Sequence, residues 1–323
     1  MARKKVLIFG NGVGMAHNPD HFSLSMALEN IWDEPRYLPE DHKQMISRCI
    51  GSNGEPPEGE DELDKLHMVV SSCKMINSLQ DAQAQWLTPQ GQQFPREVSR
   101  YIHKVATQLH IYDDPLPEQF LEPLFAFLRQ TNSHVATLNY DRLIYGQLVD
   151  NGLCAGYDGN LIDGFWGSGF AADNLVRRQG RNFGYYLHLH GSPLFYTDQN
   201  GAICKLARDN LSILTDVLDN HIVLTHVKHK RSVIDGSYIL RTYWSYLHNC
   251  CHEAEEIVVF GYSGADTHLN DVLAAYAQST PIRVIEWEGA GDDAARRFFW
   301  SRAFRSDNVR VVPLENILEF TGW

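Results

Sequence analysis

The sequence predicts an α/β protein: a Rossmann-like parallel sheet with helices on both faces, interrupted by one mainly helical insertion. Three observations predict it. Short apolar runs of strand character alternate with stretches of helical periodicity, which is the pattern of a parallel sheet covered on both sides. Four of the runs end in glycine or polar turns, where open α/β sheets carry their ligand chemistry. Between about residues 30 and 118 the composition changes to long polar and helical stretches.

Lys4-Lys5-Val6-Leu7-Ile8-Phe9 reads as the first strand and breaks at once into Gly10-Asn11-Gly12-Val13-Gly14. A strand followed by glycines lets backbone N–H groups approach a pyrophosphate at a helix N-terminus. Phe22 to Glu29 suits the helix that follows. In the polar block, Gly54 to Glu62 reads as an exposed acidic loop, while Leu66 to Val70 and the set Val98, Tyr101, Ile102, Val105 and Leu109 predict helices. The set Phe120, Leu121, Leu124, Phe125, Phe127 and Leu128 predicts a helix with Pro123 in its first turn.

His134 to Leu138 is the next strand, delivering Asn139-Tyr140-Asp141 at its end. The glycine- and aromatic-rich stretch from Asp150 to Arg181, with Gly164-Phe165-Trp166-Gly167-Ser168-Gly169-Phe170, reads as an irregular cleft loop or as a β-meander corner. Tyr186-Leu187-His188-Leu189 leads to His190-Gly191-Ser192. Tyr238 to Cys251 is helical, Ile257 to Phe260 is a strand running into Gly261-Tyr262-Ser263-Gly264-Ala265-Asp266, and Leu269 to Tyr276 is a helix. Ile282 to Trp287 and Asn308 to Pro313 complete the strands. The resulting division is a nucleotide-binding core at 1–29 and 119–323 around an inserted helical layer at 30–118.

Four strand ends thus carry a glycine turn, Asn139, His190, and Ser263 with Asp266. Asn139 can accept from and donate to ribose hydroxyls or a water. His190 has the intrinsic pKa of a general base near neutrality, and Gly191 leaves room for a ligand beside its ring. His188 points to the same face by strand alternation, so spacing alone does not separate the two histidines. Asp141 reads as a cap at Arg142 or as a ligand-binding carboxylate, and Asp266 as a ribose ligand or the cap of a helix near His268. Ser263 can donate to a phosphate, Glu286 to accept from a ribose is placed at a strand end, and Trp287 beside it can pack near an adenine.

Composition narrows the class. The formal net charge of −12 excludes a general nucleic-acid or bilayer surface, and the single basic cluster, Lys228-His229-Lys230-Arg231, reads as a solvated loop. The six cysteines contain no Cys-x-x-Cys pair, so no structural zinc or other metal site is indicated, and they suit reduced thiols in the cytosol. The apolar run after Met1-Ala2-Arg3-Lys4-Lys5 is too short for a secretory or membrane-spanning segment. The glycine turn is Gly-x-Gly-x-Gly, not the Gly-x-Gly-x-x-Gly of dehydrogenases, and no acidic residue marks the end of a second strand, which disfavours hydride transfer.

The ordered set Gly10-Asn11-Gly12, Asn139-Tyr140-Asp141, Leu189-His190-Gly191-Ser192 and Gly261-Tyr262-Ser263 with Asp266 and Asn270 resembles the sirtuin superfamily. Within it, the resemblance is to the divergent prokaryotic branch of NAD-consuming effectors of antiphage defence, and it spans residues 6 to about 290. The sequence departs from the deacetylase branch in lacking the zinc ribbon and in placing Gly14 where a serine is common. What the resemblance implies is a sirtuin-like fold and hydrolysis of NAD at the nicotinamide-ribose bond. Asn139 and His190 would be catalytic, and Gly10, Asn11, Gly12, Asp141, Gly261, Ser263, Asp266 and Glu286 would bind NAD. It also implies a cytoplasmic protein acting in abortive infection, controlled by a separate sensor protein or by homo-oligomerisation, the helical insertion offering such contacts. The rival expectations are an NAD-dependent protein deacylase and a non-catalytic module that binds NAD or ADP-ribose.

Overall fold

The structure is a computed structural model describing residues 4–79, 85–167, 169–207, 210–211, 221–224 and 227–323, with 227–229 described as backbone. In chain order the elements are β1 (Lys5–Phe9), α1 (Gly12–His17), α2 (Pro19–Phe22), α3 (Leu24–Trp32), α4 (Glu40–Ile50), α5 (Glu60–Leu79), α6 (Pro89–His110) and α7 (Glu118–Thr131). There follow β2 (His134–Thr137), α8 (Tyr145–Asp150), β3 (Leu161–Ile162), β4 (Phe165–Trp166), β5 (Gly169–Phe170), β6 (Gly184–His188), β7 (Phe195–Thr197) and β8 (Ile203–Lys205). The last third holds α9 (Val227–Gly236), α10 (Tyr238–Glu253), β9 (Glu256–Phe260), α11 (Thr267–Tyr276), β10 (Ile282–Trp287), α12 (Asp293–Phe304) and β11 (Val309–Leu314).

Seven strands form a parallel sheet in the order β11-β10-β9-β1-β2-β6-β3. Its central strands are buried on both faces, as parallel strands with helices on either side must be. In β1, Val6 and Ile8 join one apolar cluster, with α10 residues Leu240, Tyr243 and Leu247. Leu7 and Phe9 join the opposite one, with α7 residues Phe120, Leu124 and Leu128. The period-two alternation of a strand distributes the side chains in this way. The chain starts in the middle of the sheet, builds outward through β2 and β6, then returns to build β9, β10 and β11 on the other side. The order therefore reverses between β1 and β9, and ligands of open α/β sheets bind at that reversal, outside the carboxyl ends of the strands.

Between β1 and β2 the described residues hold helices and no strand. Helices α3 to α6 share their own apolar cluster, with Leu28, Trp32, Ile46, Leu66, Phe94 and Tyr101 among its members. Tyr140, Ile222 and Leu224 reach into that cluster from the sheet side, which brings the layer over the carboxyl ends of the strands. The expected acidic loop is shorter than the sequence suggested, because Glu60, Asp61 and Glu62 form the first turn of α5, where acidic side chains complement the helix dipole. Helix α7 begins at Glu118, so Pro123 sits beyond the first turn. The glycine- and aromatic-rich stretch contributes β4 and β5 to a small antiparallel sheet of order β4-β5-β8-β7, with Ser168 outside the described residues. The basic cluster is corrected most sharply. It lies in α9, not in a solvated loop, and Lys230 is 3% exposed; the side chains of Lys228 and His229 lie outside the described residues. No described helix is long and apolar enough to cross a membrane.

Candidate active site

The ladder hydrogen bonds continue one residue past the strands. Leu138 N–H donates to the Phe9 carbonyl, Leu189 N–H to Thr137, Gly10 N–H to Phe260 and Gly261 N–H to Ile285. In-register parallel strands therefore bring Gly10 and Gly261 to one level and Asn139 and His190 to the next, around a cleft of about 1390 Å³. Asn11, Gly12, Tyr140, Ser263, Asp266, Glu286 and Trp287 line it as well, and Glu60, Leu24 and Leu109 close it from the helical layer. Its volume exceeds the roughly 300–1,000 Å³ usual for pockets that hold a single small ligand.

Asn139 is 7% exposed, and its Nδ2 donates to the Gly10 carbonyl at 3.1 Å. A carbonyl can only accept, so this bond fixes which way round the amide sits. Oδ1 is left buried without a hydrogen-bond partner among the described residues. Native structures leave few such atoms, because each costs about 1–3 kcal/mol, and this one belongs to a residue that lines the cleft.

His190 Nε2 lies 2.8 Å from Asp266 Oδ2. Asp266 also caps α11, Oδ1 accepting from the N–H groups of His268 and Leu269 at 3.0 and 3.2 Å. Both readings of this residue thus hold together, one per oxygen. Lys230 Nζ approaches the same Oδ2 at 3.3 Å and reaches Glu60 on α5 at 3.3 Å, closing a chain His190–Asp266–Lys230–Glu60. Burial would push the Asp266 carboxyl up, but the hydrogen bond to His190 and the charge of Lys230 outweigh it and hold the group well below the usual carboxylate range. Asp266 is therefore an ionised orienter of His190. Tyr262 and Asn270 brace the turn behind it: the Tyr262 hydroxyl lies 2.8 Å from Asp266 N and 3.0 Å from Asn270 Oδ1, and Asn270 Nδ2 donates to the Gly264 carbonyl.

The structure separates the two histidines. His188 is buried in a cage of Tyr145, Tyr186 and Phe195 rings, away from the cleft, and burial lowers its pKa to about 3. His190, just past the strand, lines the cleft.

Several expectations are revised. The amides of Gly10 and Gly12 donate to the carbonyls of Phe260 and Gly261 and so are not aimed at a ligand. Glycine is required there because a Cβ on Gly12 would lie 2.6 Å from Gly261 O, so the two strand-end turns touch backbone to backbone. Helix α1 spans only six residues. Gly191 makes room not for a ligand but for the chain: its φ is +82°, and a Cβ would lie 1.6 Å from His221 O, where Gly191 bridges to Ile222. Asp141 does not line the cleft. It is buried, Oδ1 accepts from Leu143 N–H at 2.9 Å, and burial raises its pKa to about 6 against the bonds from Leu143 and Asn139. Glu286 lines the cleft, but its carboxylate is occupied by Arg296, at 3.0 and 2.5 Å, and by Trp300 Nε1 at 2.9 Å. Trp287 beside it is 61% exposed. Ser263 Oγ accepts from Ala265 N–H at 3.3 Å, which leaves its hydroxyl hydrogen to donate into the cleft. Asn11 turns its amide to the Phe22 carbonyl at 3.0 Å.

Lys230, Glu60 and Arg296 carry the charge of this site and went unnoticed in the sequence. Nothing local marks them: Lys230 sits in a basic run, Glu60 in an acidic one, and only the packing of α9 against α5 and α11 brings their heads to Asp266. Among the described residues no group of three or more His, Cys, Asp or Glu side chains is arranged to hold a metal ion.

The profile of a family described as "Domain of unknown function (DUF4917)" matches residues 7–285, a span that contains the cleft residues from Gly10 to Asp266 and ends just before Glu286. No curated protein matches the chain.

Proposed function

The chain belongs to the DUF4917 family of unknown function, and from the chemistry of its cleft we propose that it is an NAD hydrolase that cleaves the nicotinamide-ribose bond. The observation that carries this reading is the unpaired Asn139 Oδ1, held rigidly by the Gly10 bond in the same cleft as an oriented histidine. Such an acceptor suits a ribose hydroxyl or the attacking water.

In the reaction the glycosidic bond breaks, its electron pair stays with the pyridine nitrogen, and neutral nicotinamide leaves. Water attacks the ribose carbon and loses its proton to His190, giving ADP-ribose. With Nε2 turned to Asp266, Nδ1 is the ring nitrogen available to that proton. Asp266 fixes the tautomer and meets the charge that forms on the ring, and Lys230 holds Asp266 ionised. Ser263 supplies a donor for the pyrophosphate, while Glu286 acts through Arg296 and Trp300 to shape the far wall. The resemblance supports placing this activity in antiphage defence, restrained until a partner protein or oligomerisation releases it.

The test is to incubate the purified chain with NAD, alone and with its genomic-neighbour proteins, and to follow free nicotinamide. Release that disappears in Asn139→Ala and His190→Ala supports the reading. Measurable nucleotide binding with no nicotinamide under any condition replaces it with a binding module, and release only in the presence of an acylated peptide replaces it with a deacylase.

A further inference from the structure

A second cavity of about 570 Å³ lies beside β3, walled by α8, the 154–158 turn, the β3–β4 connection and β8. Its size is that of a single small ligand. At its floor the buried Tyr145 and Asp163 hold the half-buried Lys205, which leaves one donor unspent. Tyr145 OH donates to Asp163 Oδ2 at 2.6 Å, and Lys205 Nζ donates to the same oxygen and to Tyr145 OH, both at 2.5 Å. Asp163 Oδ1 accepts from Phe165 N–H at 3.1 Å. An ammonium has three N–H donors, and the third on Lys205 has no partner among the described residues. Asp163 is 4% exposed and remains ionised: burial pushes its carboxyl up, but the Lys205 charge and bonds prevail and hold it below the usual range.

The lysine head sits over the rings of Phe165 and Tyr145, at 4.7 and 5.2 Å, in surroundings that strengthen its field. Arg142, ion-paired with Asp113 and Asp150 at 3.2 and 3.5 Å, adds a second cation to the wall. The rim carboxylates Asp150 and Asp158 are 58% and 92% exposed, so solvent screens them. At the mouth, Trp166 is 68% exposed and lies nearly parallel to Tyr157, with centroids 6.0 Å apart. Behind the triad the buried His188 Nε2 is unpartnered among the described residues. Buried ionisable groups gathered at a cavity are costly, and such clusters mark functional sites.

We propose that this cavity is a second ligand site, separate from the cleft, that takes a small aromatic or heteroaromatic carboxylate: the carboxylate on Lys205, the ring against Trp166. The inference does not depend on the NAD reading, since none of these residues lines the cleft.

The test is calorimetric titration of the full chain with benzoate and nicotinate, with acetate and benzylamine as controls lacking the ring or the negative charge. The expected result is saturable binding of the aromatic carboxylates only, weakened at least about tenfold in Lys205→Met, a loss of the size that a charge-assisted hydrogen bond carries. Lys205→Met strands the Asp163 carboxylate and can unfold the chain, so Trp166→Ala, at an exposed position, carries the same expectation on a folded protein. Asn139→Ala leaves this binding intact. Absence of binding by both carboxylates, binding that survives Trp166→Ala unchanged, or a preference for benzylamine overturns the proposal.

Discussion

His190 Nε2 and Asp266 Oδ2, seventy-six residues apart in the chain, meet at 2.8 Å because β6 and β9 end at the same level of one sheet. Replacing His190 with Ala removes the base, and general-base catalysis is worth roughly 10²–10⁴-fold. Nicotinamide release should fall by that factor in His190→Ala and by a smaller one in Asp266→Asn, with circular dichroism unchanged. Full activity in His190→Ala removes it from the mechanism.

Lys230 should be structural as well as electrostatic. It is nearly fully buried between two carboxylates, and removing one partner of a buried ion pair typically costs roughly 3–5 kcal/mol. Lys230→Met is expected to lower stability by about that amount in urea unfolding at pH 7, and Glu60→Gln by less, because Glu60 is 37% exposed. Equal costs for the two would show that Asp266 does not depend on the lysine.

Asn139→Ala separates binding from folding. The apo protein loses the Nδ2 bond to the Gly10 carbonyl and the side-chain bond to Asp141, each worth about 1 kcal/mol, and sheds an unsatisfied oxygen that offsets them. Its melting temperature should change little, whereas stabilisation by added NAD should vanish. NAD-dependent stabilisation equal to that of the parent protein would show that Oδ1 meets no ligand donor.

Gly191 and Gly51 have nearly the same φ, +82° and +83°, in different surroundings. Gly51→Ala meets open space and should cost only the left-handed backbone penalty, about 1–2 kcal/mol. Gly191→Ala would press its Cβ onto His221 O and should cost more than Gly51→Ala by several kcal/mol. Chemical denaturation of the pair compares them directly.

Two buried histidines make the fold acid-sensitive. Burial lowers His134 to about 4 and His188 to about 3, so both stay neutral when folded and gain protons near pH 6.5 when unfolded. Stability is full above pH 6.5 and is lost as the pH falls from there toward 4 and 3. Asp141, raised to about 6, acts in the opposite sense between 6 and 3.8 and offsets one of the two protons. The midpoint of thermal unfolding should therefore decline below pH 6.5, and His188→Phe, which keeps the aromatic packing, should flatten the decline. An unchanged pH profile in that variant would place the charge sensitivity elsewhere.

The strands and most helices of the core were legible because their periodicity is local: β1, β9 and β10 are apolar runs whose ends match the sequence within a residue. Short elements set by distant partners were not. For the glycine- and aromatic-rich stretch the sequence left a cleft loop and a β-meander corner open, and only the pairing of β4 with β5 and of β5 with β8 decides for the second. Helix α9 was read as a solvated loop because a basic run ordinarily is one.

From the sequence alone came the parallel α/β class, the helical insertion, and the polar residues at the strand ends, since each depends on the order of residues along one segment. Tertiary structure decided what those residues do. It chose His190 over His188, turned Asp141 away from the cleft, tied Glu286 to Arg296, and brought Lys230 and Glu60 to Asp266. The physical reason is that burial, unpaired acceptors and ion pairs are properties of surroundings, and the surroundings of each of these groups are built by elements far away in the chain.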